Sequence, residues 1–340
     1  MQVRQLDIND SVRWDAFVTG CPEATFFHRA GWKEVIERAL GHHCYFLYAE
    51  HNGEIQGVLP LGHVNSRLFG NALTSLPFCV YGGIAAANET ARTALDKEAQ
   101  RLAAELKVDY LELRNLKPQH GDWPIKDLYV TFRKEIDADP EQTMLAIPRK
   151  QRAMVRKGIK NDLCGEIDEG ADRFYDAYAR SVHYLGTPVN SRKYYKILKQ
   201  VFDKDCEILT ITKDSRTVSS VMSFYFRDEV LPYYGGGTSE ARGLAANDFM
   251  YWELMRRASE RGVKVFDFGR SKKGTGSYSF KEHWGFEPQP LYYEHCLMGI
   301  KEMPDINPLN PKYQLFIKLW KAMPFALTKI IGPQLAKDLG

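Results

Sequence analysis

The hydrophobic positions fall into two runs of the same order. In the first, Ala91, Leu95, Ala99, Leu102 and Leu106 recur at helical spacing and predict a helix over 92–106. In the second, Phe249, Trp252, Leu254, Met255 and Ala258 predict one over 248–261. Each is followed by an alternating stretch that reads as a strand, Tyr110-Leu111-Glu112-Leu113-Arg114 and then Val265-Phe266-Asp267-Phe268-Gly269-Arg270. Upstream, Tyr45 to Ala49 and Ile55 to Val64 flank Asn52-Gly53 and predict a hairpin. Ile208 to Ile211 and Thr217 to Phe226 flank Lys213-Asp214-Ser215 and predict another. A helix precedes each hairpin, over Ala30 to Ala39 and Arg192 to Phe202. Between hairpin and long helix, Leu76-Pro77-Phe78-Cys79-Val80-Tyr81-Gly82-Gly83 is similar to Leu231-Pro232-Tyr233-Tyr234-Gly235-Gly236. The order in both halves is helix, hairpin, strand, Gly-rich loop, helix, strand, which points to a duplication.

Asp137-Ala138-Asp139-Pro140 is linker-like and Pro148 opens a basic helix, so the halves should join near residue 145. The expected domains are 1–145, 146–300 and a helical tail over 301–340. That tail sets Tyr313, Leu315, Phe316, Ile317, Leu319, Trp320, Met323 and Phe325 among Lys312, Lys318, Lys321 and Lys329. It reads as a basic amphipathic helix, either docked on the second domain or lying on a membrane face.

The chain has 340 residues, enough for two cores. Its 46 basic and 43 acidic residues leave a net charge of +3, which excludes a dedicated nucleic-acid coat but not a local basic patch. A hydrophobic content of 44% excludes a disordered chain. The six cysteines form no C-x-x-C pair, so no metal site is expected, and a reducing cytosol is the simplest compartment. The uncharged stretch Asn71 to Asn88 is broken by Pro77, Gly82 and Gly83. It falls short of the ~20 apolar residues a spanning helix needs and reads as a buried strand and turn.

In the second copy the strand runs into Tyr234-Gly235-Gly236-Gly237, a loop follows, and a helix starts near Asn247 or Asp248, both good N-caps. Glycines admit a ligand close to the backbone, and a helix start offers unpaired N–H groups to phosphate or an oxyanion. An ordinary tight connection is the alternative. The order strand, loop, helix, strand resembles the core of GNAT acyltransferases. It implies a splayed strand that polarises an acyl carbonyl and a helix start that holds pyrophosphate. The family loop, Arg/Gln-x-x-Gly-x-Gly/Ala, stands here as Arg242-Gly243-Leu244-Ala245-Ala246-Asn247, with both later glycines replaced. That departure counts against coenzyme A.

A tandem pair of such domains resembles the FemAB family, the aminoacyltransferases of peptidoglycan bridge synthesis. Four segments carry the resemblance: Phe26-Phe27-His28-Arg29-Ala30-Gly31-Trp32-Lys33, the basic run Gln151 to Asn161, Asn247 to Arg257 with Phe266-Asp267-Phe268-Gly269, and Ser277-Tyr278-Ser279-Phe280-Lys281-Glu282-His283-Trp284-Gly285-Phe286. The last is similar to the family's F-K-x-x-F-G segment, with Trp284 in place of Phe. Nearest in pattern are FemAB-like proteins of bacterial exopolysaccharide and exosortase (PEP-CTERM) systems. The resemblance implies an α/β (α+β) fold of two tandem GNAT-like domains, each a mixed sheet flanked by helices. It also implies a cytoplasmic acyltransferase of cell-wall or exopolysaccharide biogenesis without a tightly bound cofactor. The donor would be aminoacyl-tRNA or acyl-CoA, and the acceptor an amine on a cell-envelope or polysaccharide precursor. No sustained heptad is present, so the chain resembles a member without the coiled-coil arm that contacts tRNA. Two other readings stay open: an acyl-CoA-dependent N-acyltransferase acting on an amino sugar, and a non-catalytic binding module for a lipid-linked saccharide.

Lys281 is the first candidate for catalysis, since the resemblance puts the matching lysine near the acyl ester and donor phosphates. Asp267, on the face opposite Phe266 and Phe268, is a candidate to orient an amine or to pair with Arg270. His283 is a candidate general base. Arg270, Lys272 and Lys273 follow a strand end, where phosphates often bind in α/β folds. Lys33, beside Trp32, matches a contact to the acceptor's phosphate by resemblance only. Tyr234 and Tyr278 are candidates for the acyl pocket, with Gly235, Gly236 and Asn247 beside it. Arg152 and Arg156 belong to a run of Arg149, Lys150, Arg152, Arg156, Lys157 and Lys160 without an acid. That run is either a solvated helix face or a contact to polyphosphate or tRNA.

Overall fold

The computed structural model describes residues 1–66, 69–303 and 311–339. Strand β1 (Gln2–Gln5) precedes helices α1 (Ser11–Gly20) and α2 (Gly31–Val35), and α2 runs on as a π-helical turn over Ile36–Leu40. β2 (His43–His51) and β3 (Glu54–Ser66) form the first hairpin, turned by Asn52 and Gly53 at φ of 52° and 83°. β4 (Gly70–Ser75), β5 (Ala85–Ala86), α3 (Glu89–Glu105), β6 (Tyr110–Asn115) and β7 (Ile125–Lys126) follow. Next come β8 (Tyr129–Glu135), α4 (Pro140–Ala146), α5 (Arg149–Lys160), β9 (Cys164–Asp168), α6 (Asp172–Leu185) and α7 (Arg192–Phe202). The second hairpin is β10 (Cys206–Lys213) and β11 (Arg216–Phe226). It leads to β12 (Glu229–Gly237), a short α8 (Ala241–Leu244), α9 (Ala246–Glu260), β13 (Val265–Asp267), β14 (Ser271–Lys272) and α10 (Gly276–His283). β15 (Pro288–Pro290), β16 (Tyr292–Leu297), α11 (Pro311–Ala322) and α12 (Phe325–Ala336) close the chain.

Two sheets have the same order. The first runs β1-β2-β3-β4-β6-β16-β7, with β5 added on β3, and the second runs β9-β10-β11-β12-β13-β8-β14, with β15 on β8. In each, a parallel pair (β4 with β6, β12 with β13) breaks an otherwise antiparallel meander. The duplication is therefore present in the topology, and the fold is the mixed α/β one the sequence pointed to. β8 and β16 hold equivalent places, and each comes from the opposite half of the chain. Accordingly one compact unit takes the described residues of 1–129, 290–305 and 337–340, and the other those of 130–289 and 306–336.

A boundary near 145 with a separate tail does not describe these units. Alternation marks 129–135 as a strand without saying which sheet edge completes it, and β13 takes it rather than β6. The tail helices pack on α6 within the second unit, where Thr328 meets His183, and bury Trp320 and Gly332. The side chains of Lys312 and Tyr313 lie outside the described residues. The shared Leu-Pro…Gly-Gly motif is also out of structural register. Leu73 stands beside Leu111 and Val230 beside Phe266, so Leu231 matches Thr74 and not Leu76.

Each sheet buries one face under a long helix. In the first unit Ala91, Leu95, Ala99 and Leu102 of α3 pack on Leu47, Leu61, Leu73 and Leu111. In the second, Met250, Leu254 and Met255 of α9 pack on Leu209, Val221, Val230 and Phe266. The first unit also buries an ionic group at the end of β6. Glu112 accepts from Arg114 Nε at 2.6 Å and lies 3.0 Å from His295 Nε2. Burial pushes the Glu112 carboxyl up, but the Arg114 charge and His295 outweigh it and hold it well below the usual carboxylate range. Arg114 Nη1 reaches on to the carbonyls of Cys79 at 2.6 Å and Leu76 at 3.4 Å. The 76–83 segment is thereby tied across the strand ends, and Gly83 N–H returns to the Arg114 carbonyl at 3.1 Å.

A carboxyl whose folded pKa is depressed adds stability that is present above its unfolded value, ~4.3, and lost as pH falls. Glu112→Gln should therefore lower stability by about 3–5 kcal/mol at neutral pH and blunt the further loss on acidification. Urea midpoints at pH 7 and pH 4 check this; unchanged midpoints at both values would contradict it.

Candidate active site

In the second unit the parallel pair separates. β12 pairs with β13 only at Glu229–Val265 and Val230–Phe266, yet it continues to Gly237. Residues 231–237 thus present a backbone edge that no strand covers among the described residues. The other edge stays on β11, with a bulge that inserts Tyr233 between Met222–Tyr234 and Ser223–Pro232. Beyond the divergence the two arms are β12 itself and the turn 268–270 that follows β13. In the first unit β4 stops at Ser75, and the segment held by Arg114 follows.

Side chains alternate along the open strand. Tyr234 points to α6 and α7, where its hydroxyl meets that of Tyr194 at 2.8 Å and its ring meets Tyr178 and Tyr195 edge-on. Burial raises the Tyr234 and Tyr195 hydroxyls well above the usual tyrosine value, so both stay protonated. Gly236 points the same way; a Cβ there would lie 2.5 Å from Ser181 Cβ on α6. Gly235 and Gly237 face the other side, against Tyr251 and Ala241. The expectation that these glycines leave room for a ligand is corrected: helices already fill the space, and the glycines let them pack closely.

At the far end of β12, α9 starts earlier than expected. Its cap is Ala245, in the left-handed region at φ 55°, so Asn247 and Asp248 lie in the first turn instead of capping it. Asn247 Oδ1 is buried beside Gly237 without a hydrogen-bond partner among the described residues. The preceding loop uses some of its own donors: Leu244 N–H goes to Glu240 O at 3.2 Å and Ala245 N–H to Arg242 O at 3.3 Å. Asp248, missed by the sequence reading as a titrating group, accepts from Gln151 of α5. Burial raises its carboxyl to about 6.

Lys281 is buried, and its ammonium donates to three carbonyls: Phe268 at 2.7 Å, Gly269 at 2.9 Å and Arg270 at 3.0 Å. Those three acceptors match the three donors of a lysine. Burial pulls the amine down to about 7, Asp267 opposes that and Arg270 adds to it. The 268–270 turn exposes three carbonyls on one side because Gly269 sits at φ 66°. Lys281 therefore holds one arm of the cleft, and the structure does not aim it at a ligand.

Asp267 is buried too. Its Oδ1 accepts from Gly269 N–H at 2.7 Å, and Oδ2 lies 3.7 Å from Arg133 Nε. Arg270 is half-buried and Lys273 exposed just past this turn. Tyr278 is half-buried edge-on to Phe132, and His283 is exposed at the end of α10.

The cations of α5 lie on one side of that helix. Gln151, Val155 and Gly158 face inward, and a Cβ at Gly158 would meet Phe249 Cβ of α9 at 2.6 Å. Arg149, Lys150, Arg156, Lys157 and Lys160 are exposed and Arg152 half-buried, and none forms an ion pair among the described residues. The C-terminal end of α5 reaches the start of α9 through Asn161 Nδ2 to Leu244 O at 3.0 Å.

Lys33 and Trp32 belong to the first unit. Trp32 has no exposed surface, gives its indole N–H to Phe26 O at 3.2 Å and packs between Phe26 and Phe27. It is a core residue, which corrects its candidacy for substrate contact. Lys33 pairs with Glu37 at 2.5 Å. The structure thus gathers Tyr234, Gly235, Gly236, Asn247, Asp267, Arg270 and Lys281 around one splayed strand pair. Among the described residues no group of three or more His, Cys, Asp or Glu is placed to hold a metal.

A strand pair that splays beside a helix start is the architecture of the GNAT acyltransferases. Over residues 144–282, within the second unit, the chain matches the model of the GNAT acetyltransferase domain, and the fold of that unit agrees with the match. No curated relative matches the sequence. It is similar in structure to FemX, at a TM-score of 0.69 and 16% identity over 93% of this chain and 100% of that one. A tandem GNAT protein from the clavulanic acid biosynthesis pathway matches at 0.55 and 11%, over 88% and 99%. The C-terminal domain of a putative lysylphosphatidylglycerol synthetase from Agrobacterium fabrum matches at 0.58 and 12%, over 84% and 91%.

Two substitutions and a control test this site. Lys281→Met should cost about 2–4 kcal/mol by leaving three carbonyls without their donor, read from urea unfolding. Gly236→Ala should cost about 1–3 kcal/mol by forcing α6 outward. Gly243→Ala, with nothing within 4 Å of the added atom, should be near neutral. Parent-like stability of Lys281→Met and Gly236→Ala would contradict these assignments.

Proposed function

We propose that this chain moves an aminoacyl or acyl group onto an amine of a cell-envelope or exopolysaccharide precursor, with aminoacyl-tRNA as donor. The observation that carries the reading is the divergence of β12 from β13, beyond which no described strand covers the backbone edge of 231–237. An acyl carbonyl laid against it meets fixed N–H donors where the oxyanion develops, which is where catalytic stabilisation is usually largest. The neutral amine attacks the acyl carbon, the N–C bond forms and the ester C–O bond breaks. The amine's proton ends on the leaving oxygen. Tyr234, held by the buried Tyr194 hydroxyl, walls the acyl side, Arg270 and Lys273 serve phosphates beside the 268–270 turn, and Lys281 and Asp267 position that turn. His283 remains a candidate proton acceptor at the surface of α10, and Lys33 a contact for an acceptor phosphate.

The donor is argued from charge. A loop that spends Leu244 and Ala245 N–H on itself, with a carboxylate in the next turn, is a poor pyrophosphate cradle. The unpaired cations on α5 suit a long polyanion. The acetyltransferase-domain match favours the second reading, transfer from acyl-CoA to an amino sugar. The unbridged cysteines fit a cytoplasmic setting.

Filter binding separates the two donors. The chain should bind charged tRNA with a salt-dependent affinity. Arg149, Lys150, Arg156, Lys157 and Lys160 all changed to Gln should weaken binding at least about tenfold and flatten the salt slope. Thiol release from an acyl-CoA panel, with no tRNA binding, would establish the second reading instead.

A further inference from the structure

We infer that helices α11 and α12, both packed on α6, form a contact face for an anionic lipid surface, an interaction separate from acyl transfer. Both pack by one side on α6 and on the segment that follows it. Trp320 is 1% exposed, and a Cβ at Gly332 would lie 3.1 Å from Val189 O, past the end of α6. The other side is open to solvent, with Leu315 at 60%, Leu319 at 58%, Leu327 at 41% and Ile330 at 72% exposure. The end of α6 extends this surface with Tyr184 and Leu185, at 51% and 66%. It adjoins α11, since a Cβ at Gly186 would lie 2.5 Å from Ile317. So much apolar surface in one place marks a contact site rather than ordinary scatter.

Charge identifies the occupant. Residues 311–336 contain four lysines and no Asp or Glu. Lys318, Lys321 and Lys329 have no carboxylate partner among the described residues, and neither has Arg180 of α6. Arg180 and Lys329 instead lie 5.0 Å and 5.1 Å from the Phe325 ring centroid. Ile317, Lys318 and Lys321 line a shallow groove with Leu315 and Gln314, where apolar and cationic groups alternate. Apolar side chains rimmed by unpaired cations match the boundary between acyl chains and anionic headgroups. A second copy of the same face would set lysine against lysine, which disfavours self-association. No described helix is long and apolar enough to cross a membrane, so the contact lies in the interface plane.

Flotation of the full chain with vesicles tests this. Retention is expected on vesicles of phosphatidylglycerol and phosphatidylcholine at low salt, and loss on pure phosphatidylcholine or in high salt. Leu319→Glu with Ile330→Glu should cut the bound fraction about tenfold with an unchanged unfolding midpoint. Lys318, Lys321 and Lys329 all changed to Gln should do the same on anionic vesicles only. Failure of the parent chain to float with anionic vesicles overturns the inference. So does a dimer in sedimentation that the Glu pair dissociates. Neither result bears on tRNA binding or thiol release.

Discussion

The separation of β12 from β13 after two paired residues is the constraint on which the rest of the second unit depends. Parallel strands that diverge leave backbone donors and acceptors without ladder partners, and buried groups of that kind are costly. Each arm is therefore held from outside the gap. On the β12 side, α6 and α9 press against Gly236 and Gly235 so closely that no side chain fits between. On the β13 side, one buried ammonium collects the carbonyls of 268, 269 and 270. The bulge at Tyr233 adds the residue that lets the strand swing away while its ladder to β11 continues.

The first unit shows what the same topology does without these devices. Its parallel pair stays together through Thr74 and Glu112, and β4 ends one residue later at Ser75. Arg114 stands at the place Gly269 holds in the second unit. Its guanidinium draws the following loop onto the strand ends, supported by Glu112 and His295. His295 reaches that position because β16 joins this sheet. The strand exchange thus supplies part of the ionic group in the first unit. It also gives the second unit β8, whose Arg133 faces Asp267.

Much of this was legible in the amino-acid pattern, because helices α3 and α9 and the two hairpins show their buried faces at fixed spacing. The exchange of β8 and β16 was not, since period-two alternation is the same in either sheet. Lys281 stood out by its surrounding motif, but the motif does not say that three backbone oxygens meet its ammonium. Trp32 carried a family pattern while serving only as core. Tyr178, Tyr194 and Tyr195, which pack around Tyr234, went unnoticed because on amphipathic helices an aromatic that supports a strand residue has the same spacing as any other core aromatic. Asp248 read as a cap because the sequence alone does not show that Ala245 takes the left-handed conformation usual for glycine or asparagine.

We place acyl transfer on the splayed strand of the second unit and not on its counterpart in the first. Hydrogen exchange on the full chain, with and without an amide-linked analogue of aminoacyl-tRNA, distinguishes the two. Slowed exchange is expected across residues 231–249 and no change across 72–83. Protection confined to 72–83, with 231–249 unaffected, would contradict that placement.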